Sequence, residues 1–396
     1  VVYGPNAAPN FDAFIATDNQ TFEIGDIKIK ALHTPGHTME STSYLVIDEE
    51  GKEHALFSGD TLFLGDVGRP DLAQKAANMT QEELAETLFD SLRDKIMTLP
   101  DEVIVYPGHG AGSACGKNMS SETVGSIGQE KRTNYALRAD MTKAEFVKEV
   151  TDGLLPPPAY FPLNVMLNKN GYESIDSVLE KGQNALSAEA FETAANETEA
   201  VVLDVRHETA FAKGHVPGSI FIGIDGSFAP WVGALVSDIK QPILLVAEPD
   251  RLEEVIIRLS RVGFDNIIGY LKGGYTTWLE SGKETDAVKS ISATELEGEL
   301  KKEGAMLFDV RKSSEYLSEH VIDAENTPLD YMNAHMAEFK SEGTNYVHCA
   351  GGYRSMIACS ILKSRGIHNL VDIAGGFGAI KETNIAVSDY VCPSTL

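Results

Sequence analysis

The stretch VHCAGGYRS, residues 347–355, gives the clearest indication of the fold, because an apolar strand runs through a cysteine and two glycines into a helix-like segment. A strand-to-helix turn of this kind directs backbone N–H groups and the positive end of the helix dipole toward the cysteine sulfur. Arg354 adds a full positive charge, and such surroundings favour a reactive thiolate. We predict that Cys349 is a nucleophile assisted by Arg354. The loop residues expected to hold the group that Cys349 carries are Ala350, Gly351, Gly352, Tyr353 and Ser355.

The pattern around this loop occurs a second time, about a hundred residues earlier. AVVLDVRHETAFAKGHVPGSI at 200–220 resembles AMLFDVRKSSEYLSEHVIDAE at 305–325: in each, an apolar run ends in Asp-Val-Arg. Ala247 and Cys349 each lie 26 positions before a Gly-Gly pair, so the later parts align without gaps. A repeat of this length predicts two small α/β domains of one fold.

The earlier copy has LLVAEPDRLEE at 244–254 in the place of the cysteine loop. Alanine replaces the cysteine, Glu248 stands where the loop should begin, and Arg251 is one position out of register with Arg354. We predict that this copy is catalytically inactive, and that it either holds domain orientation or shapes a binding surface.

Two chemistries use a loop of this form, phosphate-ester transfer and sulfur transfer through a cysteine persulfide, and the loop alone leaves both open. Together with the Asp-Val-Arg motif and IAGGFGAI at 373–380, it resembles the catalytic loop of rhodanese sulfurtransferases. The resemblance covers about 290–392 and implies that Cys349 carries a sulfane sulfur. A structural cysteine at a strand end would explain neither the paired glycines nor Arg354.

Composition restricts the class of partner. The chain has 396 residues, with 33 Lys plus Arg against 59 Asp plus Glu and a net charge of -26, which disfavours nucleic acid and anionic membranes. No apolar run has the roughly 18 residues of a membrane span, and the N-terminus lacks the features of a signal peptide, so we expect a cytoplasmic protein. The cysteines are too sparse for a disulfide framework, which indicates a reducing compartment; they are Cys115, Cys349, Cys359 and Cys392.

Three short motifs in the first domain each end a β-like run: HTPGHT with His37, FSGDTLF with Asp60 and VYPGHG with His109. Ligands presented from strand ends in separate loops can gather a metal at one edge of an α/β sandwich. Imidazole with carboxylate suits zinc or non-haem iron. We therefore predict a metal site. Cys115, in the neighbouring GHGAGSACGK, is a weaker candidate for a functional role.

These motifs resemble the metallo-β-lactamase superfamily. With GDVGRPDLAQ at 65–74 and the rhodanese-like repeats, the chain resembles a persulfide dioxygenase fused to rhodanese domains. The resemblance implies one Fe(II) per intact site, with zinc as the alternative, bound by His37 and Asp60. His109 would lie outside the iron shell or serve a second metal, and Arg69 would hold the glutathione part of the substrate.

The His-x-His-x-Asp-His motif of this family is absent from the sequence, and a site with two ligands would bind iron weakly. We therefore expect the sequence to be a fragment of a longer enzyme. The expected fold is α/β throughout: an N-terminally incomplete metallo-β-lactamase αββα sandwich at 1–180, an inactive rhodanese-like domain at 185–285 and an active one at 290–396. LLPPPAYFP at 154–162 and ESGKETDAVKSIS at 280–292 are the expected domain breaks.

The implied reaction is oxidation of glutathione persulfide, or a similar thiol persulfide, by O2 to sulfite, with Cys349 transferring sulfane sulfur. Sulfite as acceptor gives thiosulfate; the reverse direction would feed the dioxygenase. Two alternatives stay open, a glyoxalase II-like thioesterase that uses two metals, and a sulfur-relay scaffold in which only the C-terminal domain is active. No nucleic acid or membrane partner is expected, and formation of a homo-oligomer is left open.

Overall fold

The structure is a computed structural model that describes residues 1–111, 113, 115–117, 119–154, 157 and 160–392, without the side chains of residues 75 and 76. The chain divides into two compact units. The first contains residues 1–161 and 165–171, and the second contains 162–164 and 172–396.

The first unit is organised around a six-stranded sheet in the order β3-β4-β5-β6-β7-β8, beside a parallel β1-β2 pair. Its strands are β1 Val2–Tyr3, β2 Phe14–Ile15, β3 Thr21–Ile24, β4 Ile27–His33, β5 Thr42–Ile47, β6 Glu53–Gly59, β7 Ile104–Pro107 and β8 Gly125–Ser126. Strands β3 to β6 are antiparallel in sequence, and β7 is parallel to β6. Strands β4, β6 and β7 therefore end at the same edge of the sheet.

This part of the chain also contains helices. They are α1 Gln74–Ala77, α2 Gln81–Ser91, α3 Ile127–Thr133, α4 Lys143–Thr151 and α5 Phe161–Asn170, with a π-helical turn at Leu92–Ile96 and a 3-10 turn at Tyr135–Leu137. Thr80 and Thr142 begin α2 and α4 with capping boxes, which satisfy the first N–H groups. Leu45 and Leu56 from the sheet form a core with Leu88 and Phe146 from the helices.

The second unit contains two parallel five-stranded sheets. The first has the order β11-β10-β12-β13-β9. Its elements and those packed around it are α6 Ile175–Gly182, β9 Ala185–Leu186, α7 Ala188–Thr198, β10 Val201–Asp204, α8 Glu208–Lys213, β11 Ile220–Phe221, α9 Phe228–Leu235, β12 Ile243–Val246, a 3-10 turn Pro249–Arg251, α10 Leu252–Ser260, β13 Ile267–Leu271 and α11 Gly274–Glu280.

The second sheet has the order β14-β18-β17-β15-β16, which is the same topology in reverse listing. Its elements are β14 Lys289–Ser292, α12 Ala293–Glu299, β15 Ala305–Asp309, α13 Ser313–Ser318, β16 Glu325–Asn326, 3-10 turns Leu329–Tyr331 and Met336–Glu338, α14 Met332–His335, β17 Thr344–His348, α15 Tyr353–Ser364, β18 Leu370–Ala374 and α16 Gly376–Ile380. The predicted repeat of one α/β fold is confirmed.

Burial explains why the central segments form parallel strands. Strand β12 is fully buried, and β17 is buried from its second residue, as expected for strands covered on both faces. Helix α15 buries every residue from Ser355 to Leu362, so it packs on several sides. The cysteine loop is thus held between a buried strand and a buried helix.

The predicted proline-rich break at 154–162 is only partly described. Residues 155, 156, 158 and 159 of the predicted proline-rich break lie outside the described residues, and the predicted domain boundaries stay predictions. Of the helices in the described part of the chain, none combines the length and hydrophobicity needed to cross a bilayer.

Candidate functional site

The three predicted metal-site motifs converge at the edge of the first sheet. His37 follows β4, Asp60 follows β6 and His109 follows β7. His37 Nε2 lies 3.4 Å from Asp60 Oδ2, while His109 Nδ1 lies 2.9 Å from the other carboxylate oxygen, Oδ1. The sequence motifs therefore identify residues that meet in space, with Asp60 between the two imidazoles.

A backbone carbonyl orients His37. Its Nδ1 donates a hydrogen bond to the carbonyl oxygen of Arg69 at 2.9 Å, which directs Nε2 toward Asp60. Histidines that bind metals commonly have their other ring nitrogen held in this way. The Arg69 guanidinium is 6% exposed and paired with Asp71 at 2.6 Å. The predicted contact of Arg69 with substrate stays a prediction, whereas its carbonyl contact with His37 was not anticipated.

Asp60 is held in its ionised form. Burial raises its pKa, but hydrogen bonds from His109 and then His37 outweigh burial and hold the pKa well below the usual range. The bond to Asp60 is also the main cause that raises the pKa of His109, to about 10. Gly108 permits the close approach, since a Cβ there would lie 2.6 Å from Asp60 Oδ1.

Cys115 completes the cluster. Among the described residues, one ligand atom each of His37, Asp60 and Cys115 lie within 4.8 Å of one another. The thiol is buried, and the backbone carbonyl of Cys115 accepts a hydrogen bond from Arg69 N–H at 3.0 Å. Imidazole, carboxylate and thiolate are all ligands of zinc and iron, so the residues present fit a metal ion.

The second candidate site is the loop between β17 and α15. The N–H of Gly352 donates to Cys349 Sγ at 3.1 Å, and Gly352 has φ 112°, a conformation that favours glycine. Cys349 is 1% exposed, but the next two residues, Ala350 and Gly351, are exposed. The sulfur therefore lies at the base of a short open loop, at the N-terminus of a 12-residue helix.

The floor of this loop is a pair of glycines, Gly375 and Gly376. The Phe377 N–H donates to the Cys349 carbonyl at 2.6 Å, and a Cβ on Gly376 would lie 2.3 Å from the same oxygen. The Gly-Gly pair used to align the repeats thus has a physical reason, since only a residue without a side chain lets the loop pack this closely.

Arg354 reaches a partner that the sequence analysis missed. Its guanidinium donates two hydrogen bonds to Glu315, at 2.6 and 2.8 Å. Burial raises the pKa of Glu315, but the bond from Arg354 outweighs it and the net pKa is lowered. The sequence does distinguish the two repeats at this position. Glu315 stands four residues after Arg311, whereas the cysteine-less copy has Ala210 four residues after Arg206.

A buried carboxyl anchors the far side of the loop. Ser355 Oγ donates to Asp372 Oδ1 at 2.6 Å, and Ser290 Oγ donates to Oδ2 at 2.9 Å. Burial raises the pKa of Asp372 to about 6 in spite of these bonds. Ser355 was predicted in the loop, but no sequence signal identified Asp372.

The equivalent loop of the earlier copy is built differently. Pro249, which has no N–H, begins a 3-10 turn, and Arg251 pairs with Asp225 at 2.7 Å and Glu254 at 2.8 Å. A cavity of about 280 Å³ lies beside this turn, and its lining includes Glu248. Both arginine contacts are with carboxylates.

Comparisons with known proteins agree with this architecture. The metallo-beta-lactamase superfamily matches residues 3–109, and the rhodanese-like domain matches residues 187–281 and 292–383. The crystal structure of a metallo-beta-lactamase from Staphylococcus aureus is 30% identical in sequence and has a TM-score of 0.56. The match covers 68% of this chain and 73% of the Staphylococcus aureus chain.

Curated relatives match part of the chain. Glyoxylase B2 of Dictyostelium discoideum is 30% identical over 168 residues, which are 41% of this chain and 51% of that protein. Hydroxyacylglutathione hydrolase GloC of Haemophilus influenzae is 30% identical over 136 residues, 33% of this chain and 53% of that protein. The chain thus spans about half the length of these relatives. It belongs to the metallo-β-lactamase superfamily and carries two rhodanese-like domains after its metallo-β-lactamase domain.

Proposed function

We propose that this protein is a persulfide-processing enzyme in which Cys349 accepts and passes on sulfane sulfur, while the metallo-β-lactamase domain oxidises a thiol persulfide to sulfite. The observation that carries the proposal is the Gly352 N–H at 3.1 Å from Cys349 Sγ, at the start of α15. A backbone donor and a helix N-terminus stabilise negative charge on sulfur, and a second rhodanese-like domain precedes this one.

The sulfur transfer balances without an oxidant. The Cys349 thiolate attacks the outer sulfur of R–S–SH, the S–S bond breaks, and R–S⁻ leaves, which gives Cys349–S–SH. Sulfite then attacks the outer sulfur, the cysteine thiolate leaves, and thiosulfate forms with release of a proton. The exposed loop residues admit the donor, and the loop N–H and Arg354 hold the anionic sulfur.

In the first domain, His37 and Asp60 would hold the metal, with Cys115 close enough to contribute. The Arg69 carbonyl keeps His37 Nε2 directed at the site, and His109 fixes the opposite oxygen of Asp60. When bound, a ferrous ion supplies activation of O2 for the net conversion of R–S–SH, O2 and water to R–SH and sulfite. The residues themselves orient one another and keep the carboxylate ionised.

The sulfurtransfer proposal is tested by loading. After treatment with glutathione persulfide, we expect mass spectrometry to find one extra sulfur atom on the Cys349 peptide, and added sulfite to convert it to thiosulfate. Cys349→Ser should lose both results, and Cys359→Ser, which changes a fully buried cysteine, should keep them. Thiosulfate formation that persists in Cys349→Ser would exclude Cys349 as the nucleophile.

The relatives named as hydroxyacylglutathione hydrolase favour a second candidate, a metal-dependent thioesterase. The two functions differ in metal count and product. Our proposal expects one iron per protein and oxygen uptake with glutathione persulfide, both lost in His37→Ala. Two zinc ions per protein and thiol release from S-lactoylglutathione, without oxygen uptake, would replace the dioxygenase with the thioesterase and leave the Cys349 test unaffected.

A further inference from the structure

One residue of the cysteine loop is held by the other rhodanese-like repeat. The Tyr353 hydroxyl donates to the carbonyl of Gly223 at 2.6 Å. Its ring packs edge-on against Phe221, with ring centroids 5.8 Å apart and planes at 70°. Burial raises the pKa of Tyr353, so the phenol stays protonated and remains a donor. The Tyr353 side chain therefore packs against the cysteine-less copy.

Two glycines of the cysteine-less copy lie next to the Tyr353 ring. A Cβ on Gly226 would lie 2.3 Å from Tyr353 Cζ, and one on Gly223 would lie 3.1 Å from Cε2. Neither glycine has a positive φ, so its backbone would accept alanine. The three atoms nearest to a Cβ at Gly226 all belong to Tyr353.

The helix behind the loop is held by the cysteine-less repeat and by the segment that follows it. The Phe221 N–H donates to Ser360 Oγ at 2.9 Å, on α15. Lys363, also on α15, pairs with Asp286 at 3.0 Å. Since α15 begins at Tyr353, its first turn and its middle are both fixed from outside the catalytic repeat.

We propose that the cysteine-less repeat positions the catalytic loop, with the turn 222–226 holding Tyr353. Tyr353 stands between Gly352, whose N–H reaches the sulfur, and Arg354, which is paired with Glu315. Fixing the tyrosine therefore restrains the backbone of both its neighbours, Gly352 and Arg354. The inference rests on the proposed sulfur transfer for its role in activity, and Tyr353 is a positioning residue because it acts through its neighbours.

The test is Gly226→Ala, which pushes on the Tyr353 ring, measured alone and with Tyr353→Ala. In sulfur transfer from thiosulfate to cyanide, we expect Gly226→Ala to lower kcat at least tenfold with KM changed less than threefold, because a small displacement of a reacting group has a large cost. In the Tyr353→Ala background, where the ring is gone, Gly226→Ala should change kcat less than twofold.

Two matched variants control for generic effects. Gly298→Ala adds a methyl group in open space on α12 and should leave kcat unchanged. Tyr135→Phe removes a hydroxyl that donates to Asp66 Oδ1 at 2.9 Å in the first unit, and should also leave it unchanged. Tyr353→Phe, which keeps the ring, should lower kcat severalfold, and Tyr353→Leu, which also removes the ring, replaces Tyr353→Ala in the double variant if Tyr353→Ala does not fold.

The rate of Cys349 alkylation by iodoacetamide separates this inference from the proposed function. If the wild type transfers no sulfur, the proposed function fails; a change in alkylation caused by Gly226→Ala only when Tyr353 is present would still support positioning. A Gly226→Ala effect of equal size with and without Tyr353, or a loss of activity matched by loss of folded protein, would overturn it.

Discussion

Both rhodanese-like repeats place an aspartate at the end of a central strand and bind an arginine two positions later. Arg206 pairs with Asp204 and Arg311 pairs with Asp309, each at 2.6 Å. Each arginine also donates to a carbonyl eight residues further on, at 2.9 and 2.8 Å. The scaffold beside the loop is therefore the same in the two repeats.

The repeats differ where the sulfur would be held. One loop offers the Gly352 N–H to Cys349, whereas the other contains Pro249 and turns Arg251 toward carboxylates. The Asp–Arg ion pair and the Gly-Gly pair are present in both repeats, including the one without a cysteine. We therefore infer that they serve the fold and are not sufficient for sulfur transfer. The catalytic properties then depend on a few residues of the loop, and changes at equivalent positions of the two repeats can test this.

The largest expected effect comes from exchanging the nucleophile. Cys349→Ser should lower sulfurtransfer at least about a thousandfold, since the covalent step is lost. Adding Ala247→Cys at the equivalent position should restore none of it, because Asp250, which stands at the position of Gly352, lacks the positive φ with which Gly352 directs its N–H to the sulfur. The measurement is the rate of thiosulfate-to-cyanide transfer in the double variant. Recovery of more than a tenth of wild-type activity would show that the two loops are equivalent.

The Gly-Gly floors should differ in their tolerance of a side chain. Gly376 and Gly274 both have left-handed φ, so alanine at either costs about 1–2 kcal/mol of stability. Only at Gly376 does the new Cβ also press on loop backbone, at 2.3 Å from the Cys349 carbonyl, compared with 3.3 Å from the Ala247 carbonyl at Gly274. Urea unfolding should find Gly376→Ala less stable than Gly274→Ala by at least about 1 kcal/mol. Equal losses would mean that the cysteine loop is no more tightly packed than its counterpart.

Sequence patterns predicted the parts of the molecule that local chemistry fixes. Apolar runs bounded by turns predicted the central strands, and the spacing to the Gly-Gly pair predicted the repeat. The convergence of His37, Asp60 and His109 was predictable because each follows a strand and a glycine, and strands that end at one edge bring their loops together.

The contacts that were missed join residues far apart in sequence. Glu315 reaches Arg354 across 39 residues, and Tyr353 reaches Gly223 across 130. Asp372 looks like an ordinary strand residue, and only the fold shows that it lies beneath Ser355. Side-chain pairing at such separations depends on how helices dock on the sheet, which hydrophobic periodicity does not specify.

The Arg354 partner provides a test of intermediate size. Glu315→Gln removes the charge that holds the guanidinium, so Arg354 loses orientation, and we expect kcat/KM for sulfurtransfer to fall about tenfold. Ala210→Gln places the same residue at the equivalent position of the other repeat and should have no effect on the rate. A rise in kcat/KM in Glu315→Gln would instead indicate that the glutamate restrains a useful positive charge.

The smallest effect concerns pH. The pKa of Asp372 in the folded protein, about 6, lies above its ordinary value of 3.8, so the native state holds the proton more tightly than the unfolded state. This contribution to stability is present at low pH and is lost as the pH rises through 6. Between pH 5.5 and 7.5, the free energy of unfolding should therefore fall by about 1 kcal/mol more in the wild type than in Asp372→Asn. Urea titrations at the two pH values measure it, with the exposed Asp330→Asn as control. Tyr270 occupies the equivalent strand position in the cysteine-less repeat, so we expect this pH dependence only from the catalytic copy. If the free energy of unfolding changes equally with pH in the wild type and in Asp372→Asn, the pH dependence does not come from Asp372.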